Sequence, residues 1–379
     1  MNTMRTVARL TRFFAVLGLI VTGPPAAAGW VQTYVTGGTP GGEVIFKVTL
    51  DPTLAGSAMV SVAVADPTRR LDGIDFLPGS RTLVSVGAQF PMAGGGAIAQ
   101  FDVSPGAAIP VLPDFVPATG AGTKPSTVLN FGGYVYYIEN QFGFGGGMHR
   151  IMRTPIGGPA GTTEVVFAPG AATGIVNLEG LEIHGGLLYF FSADPAMAMK
   201  RALYSVALDG AGLAAGAATK LKGGLTGSPD GADELDRDPL TGYIFGTNML
   251  TGEVIYWDPV AMTDGTLIPE AAILAHAGDD IGRFKTAKLD GIRSTGDGYL
   301  VLTGLDGVIL SIDILGALAG LDVGDVKILF DGKGFSAAPG LSFDDLTPLF
   351  VVPLPGSLPL LAMGLAALAF AARRRSRSR

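Results

Sequence analysis

One sequence unit recurs along most of this chain, and it limits the folds available more than any other feature. Units begin "LDGIDFLPGSRTLVSVG" at Leu71, "STVLNFGGYVYYIENQ" at Ser126, "LEGLEIHGGLLYFFSAD" at Leu178, "ADELDRDPLTGYIFGTN" at Ala232 and "LDGIRSTGDGYLVLTG" at Leu289. A sixth start, "LSFDDL", falls at Leu341, and successive starts lie 52 to 57 residues apart. Most units open on an acidic or polar residue, a small residue and Ile or Leu. Each then passes a Gly-containing turn into an alternating apolar run. Alternation of period two marks half-buried strands, and Gly supplies the positive φ of tight turns. Further β-runs follow, such as "GGAIAQFDVSPG", "GMHRIMRTPIGG", "RALYSVALDG", "GEVIYWDPV" and "DGVILSIDILG". Each unit therefore reads as strand, turn, strand, hairpin, strand.

The two ends of the array complement each other. The sixth start has only about ten residues before a Pro-containing tail. The late strands it lacks stand at the other end, in "GWVQTYVTGGTPGGEVIFKVTLDP". A ring closed by pairing N-terminal strands with a C-terminal one explains both gaps and removes exposed sheet edges. The predicted fold is an all-β six-bladed β-propeller over residues 29–350. Two ordinary β-sandwiches with coincidental Asp-Gly turns are the competing architecture. The 57 Gly and 25 Pro among 379 residues suit a turn-rich β protein. Tyr136, Tyr189, Phe245 and Tyr256 are expected to pack between blades. The best helical candidate in the body is "DILGALAGLDVG", which its glycines weaken.

Residues 1–28 read as a signal peptide for the Sec export machinery. Arg5, Arg9 and Arg12 form the basic region, Phe13–Val21 the apolar one, and "PPAAAGW" places cleavage near Ala28. Residues 351–379 form a second unusual segment. The apolar run Leu358–Ala372 is closed by a basic stop beginning Arg373, Arg374, Arg375, and with Val351–Ser357 it could just span a bilayer. A permanent membrane span is one reading. The order of parts also resembles the PEP-CTERM class of sorting tails. Val352, Pro353, Leu354, Pro355, Gly356 and Ser357 ("VPLPGS") are similar to its VPLPA variant, with Gly356 where Ala is usual. That resemblance implies recognition by an exosortase, a short residence in the inner membrane through the tail, and tail removal. The mature protein would then sit in the cell envelope, on the surface or outside.

Charge and cysteine content exclude several functions. The chain has 26 Lys and Arg against 33 Asp and Glu, and eight of the Arg lie in the two end segments, so the body stands at −15. Such a body is a poor partner for nucleic acid or anionic lipid. The absence of Cys excludes disulfides, thiolate zinc sites and a Cys nucleophile.

"PDGADELDRDPLTGYIFGTNMLTGEVIYWDPV" and "LDGIRSTGDGYLVLTGLDGVILSIDI" resemble blades of six-bladed propellers of the gluconolactonase and senescence-marker type, and of their NHL and YWTD relatives. The resemblance implies an acidic ring at the channel mouth, on the positions of Asp72, Glu179, Asp233 and Asp290. A weaker second ring lies three residues further on, at Asp75, Glu182 and Asp236, with Asn130 and Arg293 in the matching places. Thr127 and Ser342 leave the first ring incomplete. Carboxylates facing one narrow channel repel each other, so they either hold a hard cation such as Ca²⁺ or take up protons. A solvated mouth without metal, or Asp side chains that only shape bends, is the alternative. A lactonase would also need a general base. His184, after "LEGLEI", is the one histidine expected near the mouth; His149 and His276 have no partner spacing. No HExxH, GxSxG or P-loop pattern occurs. The expected function is an exported binding or scaffold module for an extracellular polysaccharide or protein. A divalent-metal-dependent lactonase or esterase on the same scaffold is the alternative.

Overall fold

The computed structural model describes residues 29–351 except 40–41, 67–68, 78–79, 81, 90–95, 104–110, 117–122, 142–148, 160–161, 171–172, 198–199, 227–231, 249–251, 277–288, 305–306, 321–324 and 333–340. The expected signal peptide at 1–28 and the sorting motif, apolar run and basic stop at 352–379 lie outside the described residues. No helix among the described residues is long and apolar enough to cross a membrane.

The strands are β1 (Val31–Thr39), β2 (Gly42–Leu50) and β3 (Met59–Asp66), then five sets of four. Blade one is β4 (Arg69–Phe76), β5 (Thr82–Gln89), β6 (Gly96–Asp102) and β7 (Val111–Val116). Blade two is β8 (Thr123–Phe131), β9 (Tyr134–Gln141), β10 (His149–Pro155) and β11 (Glu164–Phe167). Blade three is β12 (Glu179–His184), β13 (Leu187–Ala193), β14 (Lys200–Ala207) and β15 (Thr219–Thr226). Blade four is β16 (Ala232–Arg237), β17 (Ile244–Asn248), β18 (Val254–Asp258) and β19 (Thr263–Ile268). Blade five is β20 (Leu289–Ser294), β21 (Tyr299–Gly304), β22 (Val308–Asp313) and β23 (Val326–Asp331). Two seven-residue helices, α1 (Glu270–His276) and α2 (Ile314–Gly320), sit in connections.

Each set is one antiparallel sheet in sequence order, and blade six is built from both ends of the chain in the order β24 (Ser342–Leu346), β1, β2, β3. β25 (Phe350–Val351) also pairs with β1, through Val31↔Val351 and Gln32↔Phe350. This is the six-bladed propeller expected from the repeat. The pairing runs one residue past the expected end at 350. Hydrogen bonds lock the closure: the Thr347 N–H donates to the Tyr34 carbonyl at 2.8 Å, and the Thr33 hydroxyl to the Thr347 carbonyl at 2.8 Å.

The core lies between blades, because every blade buries both faces. On β13, Leu188 and Phe190 pack toward blade two, while Tyr189 and Phe191 pack toward blade four. Six such interblade clusters close the circle. Tyr136, Tyr189, Phe245 and Tyr256 each join one of them, as expected. The predicted "DILGALAG" helix is α2, whereas α1, over "EAAILAH", is a helix the sequence reading does not anticipate.

Candidate functional site

The innermost strands β4, β8, β12, β16, β20 and β24 all run from one face of the disc, the mouth, to the other, the lower face. Each bulges at the same place. The register shifts fall between Leu71 and Ile74, Ser126 and Val128, Glu179 and Leu181, Ala232 and Leu235, and Leu289 and Ile292. In blade six the shift skips Asp344 and Asp345, between Phe343 and Leu346. A bulge re-aims the side chains it carries. Thr127 and Gly180 accordingly have φ of 44° and 59°.

The glycine of the Asp-Gly pairs lies within the strand. It is there because the neighbouring blade passes too close for a side chain. A Cβ at Gly73 would lie 2.6 Å from Thr127 Cα, and one at Gly291 would lie 2.5 Å from Thr303 Oγ1 and 2.7 Å from the Asp344 carbonyl oxygen.

The bulges also align the sixth unit. The Thr247 hydroxyl accepts the Glu234 N–H and donates to the Asp290 carbonyl in the next blade. The Thr303 hydroxyl accepts the Gly291 N–H and donates to the Asp344 carbonyl. Asp344, two residues beyond Ser342, therefore occupies the ring position in blade six.

That placement changes the acidic ring. Among the described residues, one group of acids can bring its oxygens together: Asp72, Asp344 and Asp345, whose ligand atoms all lie within 4.8 Å of one another. Ca²⁺ binds oxygens at about 2.3–2.6 Å, so this spacing lets all three reach one ion, with water completing the shell. Glu179 and Asp290 belong to no such group, and the Asp233 side chain lies outside the described residues. Of the four expected acids, Asp72 thus joins such a group, with Asp344 and Asp345 at the seam of blades six and one.

The second ring is built around a cation. Arg293, 6% exposed, lies among Glu234, Asp236, Asp75 and Asp345 and forms an ion pair with Glu234. Its Nη1 also donates to the Ile292 carbonyl at 2.8 Å. Burial raises the Asp75 carboxyl to about 6 against the pull of Arg293. Burial likewise raises Asp236 to about 6. Glu182 is pushed up to about 8, by burial first and then by the charge of Asp236. Asp75, Glu182 and Asp236 feel one another's charge, but they form no group whose oxygens could share one ion, and Arg293 supplies the positive charge that a metal would have brought. The second ring therefore does not fit a divalent cation.

The same acids join blades. Asp75 Oδ2 accepts the Asn130 N–H at 2.7 Å, Glu234 Oε2 the Ile292 N–H at 2.8 Å, and Asp236 the Ser294 N–H. Sequence reasoning missed Asp344, Asp345 and Glu234. The available signal was the spacing from the acid to the Ile or Leu two residues later, which "DDL" at 344–346 shares with "DGI" at 72–74 and 290–292.

The histidines are placed otherwise than expected. His184 ends β12, beside the Gly185–Gly186 turn, at the lower face. Five residues of strand, about 16 Å, separate it from Glu179. It cannot act as a base at the mouth. His149 lies at the mouth end of blade two, where its Nδ1 meets Asn140 Oδ1 at 2.9 Å. Asn140 in turn brackets Leu178 of blade three, donating to its carbonyl at 2.8 Å and accepting its N–H at 3.1 Å. His276 is the last residue of α1. Away from the channel, a cleft of about 260 Å³ opens between blades three and four, lined by Phe191, Tyr256, Trp257 and the Lys222–Asp264 ion pair.

This is the geometry of a six-bladed β-propeller with a polar channel, and comparison with solved structures agrees. The chain is similar to a chain of a nidogen/laminin complex, with TM-score 0.57 and 13% identity over 86% of this chain and 99% of that one. It is similar to TolB from Acinetobacter baumannii, with TM-score 0.51 and 12% identity over 86% of this chain and 69% of that one. A gluconolactonase from Xanthomonas campestris matches at TM-score 0.42 and 14% identity, over 68% and 79%. No protein-family model and no curated protein matches the chain.

Proposed function

We propose that this chain is an exported binding or scaffold propeller, trimmed at its N-terminus and sorted through its C-terminal tail by an exosortase. The observation that carries the binding reading is Arg293. Its guanidinium sits among the acids in the middle of the channel, in the place a cation would otherwise take there. A metal-dependent hydrolase needs a cation beside a general base, and the histidine expected to be that base, His184, lies at the lower face, away from Asp72. The mouth remains available as a rigid recognition surface for an extracellular polysaccharide or protein. The trimming reading is supported by the closure of the ring, since every sheet is complete within residues 31–351. Assays of the full chain on lactones and aryl esters with Ca²⁺ or Mn²⁺ are expected to give buffer rates. Turnover that Asp72→Asn and Asp344→Asn abolish would overturn the binding reading in favour of a hydrolase.

A second reading, in which the mouth holds Ca²⁺, is favoured by the Asp72, Asp344 and Asp345 group. The cation would bridge blades six and one and present open coordination positions to a ligand. Ca²⁺ is then expected to raise the melting temperature, and Asp72→Ala with Asp344→Ala to abolish the rise. A flat response in the parent chain would eliminate the site.

A further inference from the structure

We infer that the lower face of the propeller, opposite the acidic mouth, is an interfacial surface that rests on a neutral or zwitterionic lipid bilayer while the tail is in place. The inference builds on the tail reading above. It starts from where the chain leaves the ring. Val31 pairs with Val351 at the lower end of blade six, so the described chain both begins and ends at that face. The departing C-terminal segment carries the apolar run Leu358–Ala372 and then the arginines.

The same face is where apolar side chains are exposed. Val260, 92% exposed, and Met262 lie in the turn after β18, and Leu240 is exposed in the connection between β16 and β17 of the same blade. Leu315 is exposed on α2 in blade five, and Leu54 and Phe350 on blade six. With Phe131 and Val165 of blade two, also exposed at this face, these positions lie on four of the six blades, among them the blade where the described chain ends. On the mouth face, by contrast, Val176 and Met197 are the large apolar side chains exposed among the described residues. Scattered apolar residues need no explanation, but a one-sided set does.

Helix α2 is a second, independent sign. Its sequence is "ILGALAG", with no charged residue. Ile314 and Ala317 are buried against the blade, while Leu315 and Leu318 face outward. A helix that is apolar on both sides expects apolar material on both sides.

The charges indicate the kind of lipid. The connections that present these residues are held by acids. Asp258 accepts the N–H groups of Val260 and Ala261, Asp51 that of Thr53, and Asp313 that of Gly316. Carboxylates at this depth repel anionic headgroups and leave neutral ones as the fitting surface.

The chain has no cysteine, so single cysteines can be placed and labelled cleanly. The full chain carrying Val260→Cys, Leu315→Cys or, on the mouth face, Met197→Cys would be labelled with a polarity-sensitive dye. Each would then be reconstituted into phosphatidylcholine vesicles containing bromolipid quencher. Labels at 260 and 315 are expected to shift to the blue and lose at least half of their emission, and the label at 197 to do neither. A chain that floats with the vesicles but shows no quenching at 260 and 315, or equal quenching at 197, overturns this inference and leaves the tail reading intact. A chain that does not float defeats both. Quenching that strengthens with added phosphatidylglycerol would contradict the neutral surface. A concentration-dependent blue shift without lipid would assign the face to a second copy instead.

Discussion

The carboxylate of Asp75 receives the backbone N–H of Asn130 at 2.7 Å, across the seam between blades one and two, while its other oxygen takes the N–H of Phe76 at 2.6 Å. One buried side chain thereby satisfies two strand amides that the channel leaves without a ladder partner. Asp75→Ala strands both and is expected to cost about 2–4 kcal/mol in urea denaturation. Asp75→Asn keeps one acceptor and should cost about half as much. Stability of Asp75→Ala within 0.5 kcal/mol (roughly the scatter of a neutral surface change) would show that the contact holds nothing.

At Gly291 blades five and six pass too close for a side chain. Gly291→Ala would push a methyl against Thr303 Oγ1, Leu346 Cδ2 and the Asp344 carbonyl. It would also break the Thr303 bridge. A loss of about 2–4 kcal/mol is expected by thermal or urea melting. Gly210→Ala, where nothing lies within 4 Å, should be neutral and serves as the control.

Glu182 makes stability depend on pH with an unusual sign. Its folded pKa of about 8 lies above the ordinary value of 4.5, and Asp75 and Asp236, each near 6, lie above 3.8. Arg293 and Arg237 face Glu182 with Asp75 and Asp236, and Tyr189 lies near it. The folded state therefore binds more protons than the unfolded one between about pH 4 and 8. The stabilisation is complete below pH 4 and is lost as pH rises through 6 and then 8. Melting temperature should fall over that range. Glu182→Gln should flatten the upper part of the fall and raise the melting temperature at pH 9 by several degrees. A parent profile that rises from pH 5 to 8 would refute this.

The repeat made the architecture readable because every unit must place an apolar strand on both sides of an interblade core. Phe190 and Phe191, adjacent in sequence and buried in different clusters, are that requirement in miniature. Closure was readable too, since β1–β3 supply the strands missing after "LSFDDL". The site was less legible. Asp72 could be picked out, but its partners Asp344 and Asp345 come from the far end of the chain, in a unit whose start is blurred by Ser342. Arg293 stood in plain view at a ring position. Its effect depends on burial beside Glu234, which sequence spacing does not report. His184 was misjudged because strand direction, fixed by the ring, carries it to the lower face.

The claim that this is an exported propeller trimmed at both ends is tested most directly by the intact mass of the protein recovered from the cells that make it. The account predicts a chain that starts near Gly29 and ends within the Val352–Ser357 motif. A chain running from Met1 to Arg379 would contradict it.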